Sequence, residues 1–124
     1  MKVIQTQKAP AAVGPYSQAI EVNGLIFTSG QLPIIPESGE LINDDIKKAT
    51  ARSLENIKEI LQEAGSSLDK VVKVNIFLKD MNEFSSVNEV YSKYFTTNKP
   101  ARSCVEVSKL PKDGIIEIEA VAEK

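Results

Sequence analysis

Histidine is missing altogether from this 124-residue chain. Its absence removes the usual general base at neutral pH, the Ser-His-Asp triad and the commonest zinc ligand together. Cysteine occurs once, at Cys104, which excludes an intramolecular disulfide and a thiolate metal cluster within one chain, and fits a reducing compartment. A basic surplus is lacking too. The chain has 15 Lys and Arg against 17 Asp and Glu, a formal net charge of -2, so no global field draws phosphate backbones and nucleic acid is not an expected partner. No stretch approaches the roughly 20 apolar residues of a membrane span, and MKVIQTQKAP has no uninterrupted apolar run after its lysine. No membrane association is expected, and the cytoplasm is the expected location. Any chemistry must then use carboxylates, Lys, Arg, Tyr, hydroxyls, the single thiol or backbone groups, with no metal.

What is present reads as one globular domain over residues 1–124. An apolar fraction of 42% with 26% charged residues is enough to form a core and gives no reason to expect disorder. No internal repeat or linker interrupts the chain. Ser17 to Val22 and Leu25 to Ser29 are short β-prone runs around Asn23-Gly24, the dipeptide suited to a type I′ turn, and predict a hairpin. Pro33, Pro36 and Gly39 make the segment to Asn43 mostly loop, with a short extended stretch near Leu41. From Asp45 to Ala64 the positions Ile46, Ala49, Ser53, Leu54, Ile57, Leu61 and Ala64 form a helical stripe, with Asn43 or Asp44 as cap and Gly65 at the end. Val71 to Leu78 predicts a strand with Val72, Val74, Ile76 and Leu78 on one face and Val71, Lys73, Asn75 and Phe77 on the other. Phe84, Val87, Tyr91 and Phe95 predict a second helix, with Asp80 or Asn82 near its start. Two further strands are expected at Ala101 to Val107 and Ile115 to Ala122, joined by Leu110-Pro111-Lys112-Asp113-Gly114.

Two helices separated by a strand and flanked by hairpins imply an α+β fold, a mixed sheet with both helices on one face. Val71, Phe77, Ile115 and Val121 are assigned to the other face, which is then only partly polar. Self-association is one way to bury it.

Few residues stand out chemically. Arg102 opens a strand of small or apolar residues, where its planar fork of donors matches a carboxylate; a strand-edge arginine paired with a surface glutamate is the plainer reading, and the spacing alone does not identify an anion site. Alternation in IIEIEA puts Glu117 and Glu119 on one face, as acid–base carboxylates or as a solvated strand face. Tyr16 in GPYSQA is either a recognition aromatic or a core or turn residue. Ser29-Gly30 ends a strand, where a backbone N–H can approach a ligand or the glycine simply terminates the strand. Asn88 lies at the margin of the second helix's apolar stripe, open to a cleft or to packing. Cys104 shares parity with Arg102, but nothing is available to activate a thiol, so its backbone carbonyl is the more useful group.

Together these residues carry a resemblance. APAAVGPYSQAIEVNGLIFTSGQLP, VNEVYSKYF and KPARSCVEVSKLPKDGIIEIEAVA resemble the RidA proteins, also called the YjgF/YER057c/UK114 family, over nearly the whole chain. PARSCVEV followed by LPKD and IEIEA resembles the subgroup with imine deaminase activity, since divergent subgroups without that activity often lack the arginine. The resemblance implies a chorismate-mutase-like α+β fold and a homotrimer with clefts between subunits. It implies hydrolysis of 2-iminopropanoate and 2-iminobutanoate to 2-oxo acids and ammonia, with no cofactor. By the same resemblance Arg102 holds the substrate carboxylate, Glu117 lies near the reacting carbon, and Tyr16, Ser29, Gly30, Asn88 and Cys104 line the cleft. The alternative is a regulatory protein that binds small carboxylates in that cleft without turnover. An RNA-directed activity, associated with some relatives, is disfavoured by the balanced charge and by the absence of a basic aromatic stripe.

Overall fold

The computed structural model describes residues 1–124 and contains one six-stranded mixed sheet. The strands are β1 (Lys2–Ile4), β2 (Ala19–Val22), β3 (Leu25–Thr28), β4 (Val71–Leu78), β5 (Ala101–Glu106) and β6 (Ile116–Glu123), in the order β1-β2-β3-β6-β4-β5. Only β4 and β5 run parallel. They are joined through the second of two helices, α1 (Ile46–Glu63) and α2 (Phe84–Tyr94), as a parallel pair requires a crossover. The α+β class with two helices on one face of a mixed sheet is thus observed.

The hairpin forms where expected, with Asn23 and Gly24 both at positive φ (51° and 77°), as a type I′ turn demands. α1 is capped by Asp45, one residue beyond the predicted Asn43 or Asp44; its carboxylate accepts from the Lys47 and Lys48 amides at 2.9 and 3.2 Å. At the other end Gly65, at φ 81°, lets the Ser66 amide reach back to the Leu61 carbonyl at 2.8 Å and the Gly65 amide to Gln62 at 3.0 Å, a Schellman closure. Asp80 caps the short 3-10 turn before α2. β1 carries too short a pattern to stand out in the sequence; it is fixed by pairing with β2 and by Ile4, which is fully covered.

The core lies between sheet and helices. Leu54, Ile57, Ile60 and Leu61 of α1 meet Val74, Ile76 and Leu78 of β4, Ile116, Ile118 and Ala120 of β6, and Ile26 of β3. The predicted faces of β4 need one correction. A register shift against β6 between Val71 and Lys73 inserts an extra residue, so Val71 joins the core beside Val74 while Val72 turns out to solvent. Strict alternation cannot foresee a bulge. Ile115 is a second correction: it precedes β6 and packs half-buried against the core rather than on the opposite face. Phe77 and Val121 do lie on the open face. There Val3, Ile20, Phe27 and Val121 stand in one row across four strands, with Phe27 43% and Val105 47% exposed.

Candidate functional site

Strand pairing divides the singled-out residues between two places. Parallel register sets Arg102 beside Val74 and Cys104 beside Ile76, so both project on the helix side of the edge strand β5. Glu117 and Glu119 sit opposite Phe77 and Asn75 on the open face of β6, since Ile116, Ile118 and Ala120 take the core side. Within one chain, Arg102 and Glu117 are on opposite sides of the sheet.

Arg102 lies under α2. Its Nη1 donates to Asn88 Oδ1 at 2.7 Å, and its guanidinium carbon stands 4.7 Å from the Tyr91 ring centroid and 5.4 Å from that of Phe84. No carboxylate pairs with it, so the surface-glutamate alternative does not describe this arginine. The guanidinium opens on a cavity of about 480 Å³ shared with Asn88, Tyr91, Phe95 and Lys99. Burial pushes the neighbouring Cys104 thiol up from its ordinary value, against the opposing pull of Arg102. A thiol held protonated is a poor nucleophile.

The second group surrounds another cavity of about 480 Å³, where Tyr16, Ser29, Gly30 and Glu117 share the lining with Gln18 and Lys112. Tyr16 is 53% exposed and follows a turn in which its amide bonds to the Gly14 carbonyl at 2.9 Å. It is a turn residue, as one alternative had it, and not a core residue. The Ser29 hydroxyl donates to the Ser17 carbonyl at 2.5 Å, and the amides of Ser29 and Gln31 bond to Gln18 and Ile118, so the 29–31 backbone is tied from both sides. The Gly30 requirement is steric. A Cβ there would come within 2.6 Å of Glu117 Cδ and 2.8 Å of its Oε1. Gly30→Ala should therefore leave the fold intact, because only a flexible side chain must yield, while displacing the Glu117 carboxyl. Circular dichroism should show an unchanged fold, and if Glu117 serves turnover the rate should fall on the order of ten-fold, the cost of a misplaced proton-transfer group.

Burial, with Glu119 as a lesser contributor, holds the Glu117 carboxyl above the usual carboxylate range. Glu119 accepts from Asn75 Nδ2 at 3.1 Å, so the two carboxylates of one face have different surroundings. No cluster of three or more His, Cys, Asp or Glu side chains forms a metal cage.

Three residues escaped the sequence reading. Gln18, almost fully buried, accepts from the Thr6 amide at 2.7 Å and donates to the Thr6 and Pro10 carbonyls at 3.0 and 2.8 Å, pinning the segment that walls the Tyr16 cavity. A buried glutamine in a polar stretch leaves no periodic signal. Lys112 reaches the same cavity from a turn in which it and Asp113 both take positive φ. Tyr91, read only as part of an apolar stripe, bears on Arg102; the sole available hint was its three-residue spacing from Asn88.

Comparison with known proteins bears on this arrangement. The family described as Endoribonuclease L-PSP matches residues 6–124. The chain belongs to this family, that of the YjgF and RidA proteins. A RutC family protein of Pyrococcus abyssi is 60% identical over 123 residues, covering 99% of this chain and 97% of the relative. TdcF of Escherichia coli K12, named as a candidate reactive intermediate deaminase, is 45% identical over 124 residues, covering 98% and 95%. The solved structure of E. coli TdcF with bound serine superposes with a TM-score of 0.96 at 43% identity, covering 100% of this chain and 99% of that one. The YjgF gene product of E. coli gives 0.97 at 45% identity, again covering 100% and 99%. The RidA-like fold is therefore secure, and the family includes members named as reactive intermediate deaminases. No helix of this chain is long and apolar enough to cross a membrane.

Proposed function

We propose that this RidA-family chain hydrolyses 2-imino acids, 2-iminopropanoate and 2-iminobutanoate first among them, to 2-oxo acids and ammonia. The observation that carries the reading is Arg102, a partly buried guanidinium with no carboxylate partner that faces a cavity. A small carboxylate would complete it with a two-pronged contact. An imine conjugated to that carboxylate is already electrophilic, which is why a chain without histidine suffices. Water adds to C2 of the protonated imine as one of its protons passes to Glu117, giving a carbinolamine. Glu117 returns that proton to the nitrogen and then takes the remaining hydroxyl proton as the C–N bond breaks, so that ammonia leaves behind a 2-oxo acid. A carboxyl with a raised pKa suits both directions of that transfer. Tyr16, Ser29, Gly30, Asn88 and the Cys104 backbone complete the walls of the cleft. No step calls for a metal or cofactor, and with neither histidine nor a second cysteine in the chain a chelator should leave the rate unchanged.

Arg102 and Glu117 lie on opposite sides of one sheet, so a site using both needs two chains. A homotrimer would bring the Arg102 cavity of one subunit against the Glu117 cavity of the next and cover the apolar row Val3, Ile20, Phe27 and Val121. Activity should then be lost on dissociation even if the monomer stays folded. Val105→Glu, which puts a charge on the exposed edge strand, should give a folded monomer with no measurable activity; light scattering and rate measured together across a dilution series check it. A fully active monomer would sink the shared site.

The direct test adds the protein to an amino-acid dehydratase and follows 2-oxo acid release. Acceleration is expected. The bound serine in the TdcF structure favours one competitor, a regulatory protein that binds small carboxylates without turnover. That reading predicts saturable 2-oxo acid binding and no acceleration. The cytoplasm is proposed as the location, where such dehydratase products arise.

A further inference from the structure

Arg102 is held by surroundings that leave its hydrogen-bonding fork largely free. Only Nη1 has a partner, Asn88 at 2.7 Å, and the rest of the contact is made by aromatic faces. Phe84, Asn88 and Tyr91 are spaced four and three residues apart on α2, so one helix face supplies all three. Tyr91 is the nearer ring, at 4.7 Å, and is itself immobilised: it is 9% exposed and packs on Phe95 with ring centroids 4.7 Å apart.

The choice of an aromatic matters chemically. A glutamate or aspartate in this place would occupy the in-plane N–H donors and compete with any incoming carboxylate. A ring attracts the guanidinium through its π face and leaves those donors pointing outward. The Tyr91 hydroxyl takes no part, since it is buried with no hydrogen-bond partner.

We propose that Tyr91 is the positioning residue for Arg102, its ring face fixing the plane of the guanidinium so that the donors meet a substrate carboxylate in one orientation. The inference rests on Arg102 being the carboxylate anchor, as argued above, and has one consequence that does not.

In the free protein, Arg102 side-chain protons should resonate upfield by ring current, unchanged in Tyr91→Phe and shifted back towards ordinary values in Tyr91→Leu. An unmoved Arg102 signal in a folded Tyr91→Leu chain overturns the contact whatever the ligand. Pyruvate binding by calorimetry then reads the consequence. Tyr91→Phe should bind as the parent does and melt no lower, because it deletes only an unpartnered buried hydroxyl. Pentafluorophenylalanine at position 91 keeps the volume but removes the negative ring face, so packing is preserved should Tyr91→Leu unfold. Its Kd should rise roughly three- to ten-fold, the size of a partly desolvated cation–π contact. In turnover the loss should fall on KM with kcat little changed. Weak binding by Tyr91→Phe would assign the role to the hydroxyl and overturn the proposal, as would parental affinity in the fluorinated variant. A parent protein that shows the ring-current shift but binds no 2-oxo acid would count against the deaminase reading and leave the positioning contact standing.

Discussion

Arg102→Ala should abolish most imine hydrolysis while the chain folds normally. The side chain is at the edge of the core and its loss leaves only Asn88 to find a new partner, so the melting temperature should move little. A bidentate, partly desolvated contact to a carboxylate is worth roughly 3–4 kcal/mol when one partner is truncated, on the order of a hundred- to a thousand-fold in kcat/KM. Arg102→Lys should recover little of it, because an ammonium is a point charge without the planar fork and has less face to lay on Tyr91. Steady-state rates on dehydratase-generated 2-iminopropanoate decide the matter. Near-parental activity in Arg102→Ala would remove the anchor from the mechanism and with it the strongest ground for the function proposed.

Glu117→Gln should lower kcat on the order of a hundred-fold or more, within the range of a lost general acid–base group, with 2-oxo acid binding largely retained because the amide keeps the shape. Glu119→Gln should matter less, since that carboxylate is already engaged by Asn75. The same Glu117 substitution should raise stability at neutral pH. Burial raises the Glu117 pKa in the folded chain, so the folded form holds this proton more tightly than the unfolded form does. As pH climbs from the ordinary carboxylate range through the raised value, the unfolded chain gains by ionising first and folding weakens. A neutral amide escapes that loss. Thermal melts should show Glu117→Gln above the parent at pH 7, with the gap closing once the pH falls below the ordinary carboxylate range. Lost 2-oxo acid binding with unchanged turnover at saturation would give Glu117 a different role.

How much of this was legible before folding depends on the kind of signal. The 3.6-residue stripe of α1 and the Asn23-Gly24 turn are local, and both appeared within a residue or two of their predicted bounds. Within β6, the period of two told correctly that Glu117 and Glu119 share a face. Parity is only relative, however. Nothing in PARSCVEV says which side of the sheet Arg102 will take, because that is set by its alignment with Val74 of a strand some thirty residues away. The bulge after Val71 shows the same limit: one extra residue turned the predicted faces over at the start of β4. Gly30 is a third case, ambiguous as a strand end until Glu117 is found lying where its side chain would be.

Taken alone, the sequence determined the α+β class, both helices, the hairpin and the list of chemically able residues, because helix stripes, turns and the absence of histidine are properties of neighbouring positions or of composition. Only the tertiary structure decided that Arg102 has aromatic faces and an amide for company instead of a carboxylate, and that it stands across the sheet from Glu117. Those facts depend on strand register and on the packing of α2 over β5, which come from burying one shared core and have no counterpart in any short stretch of chain.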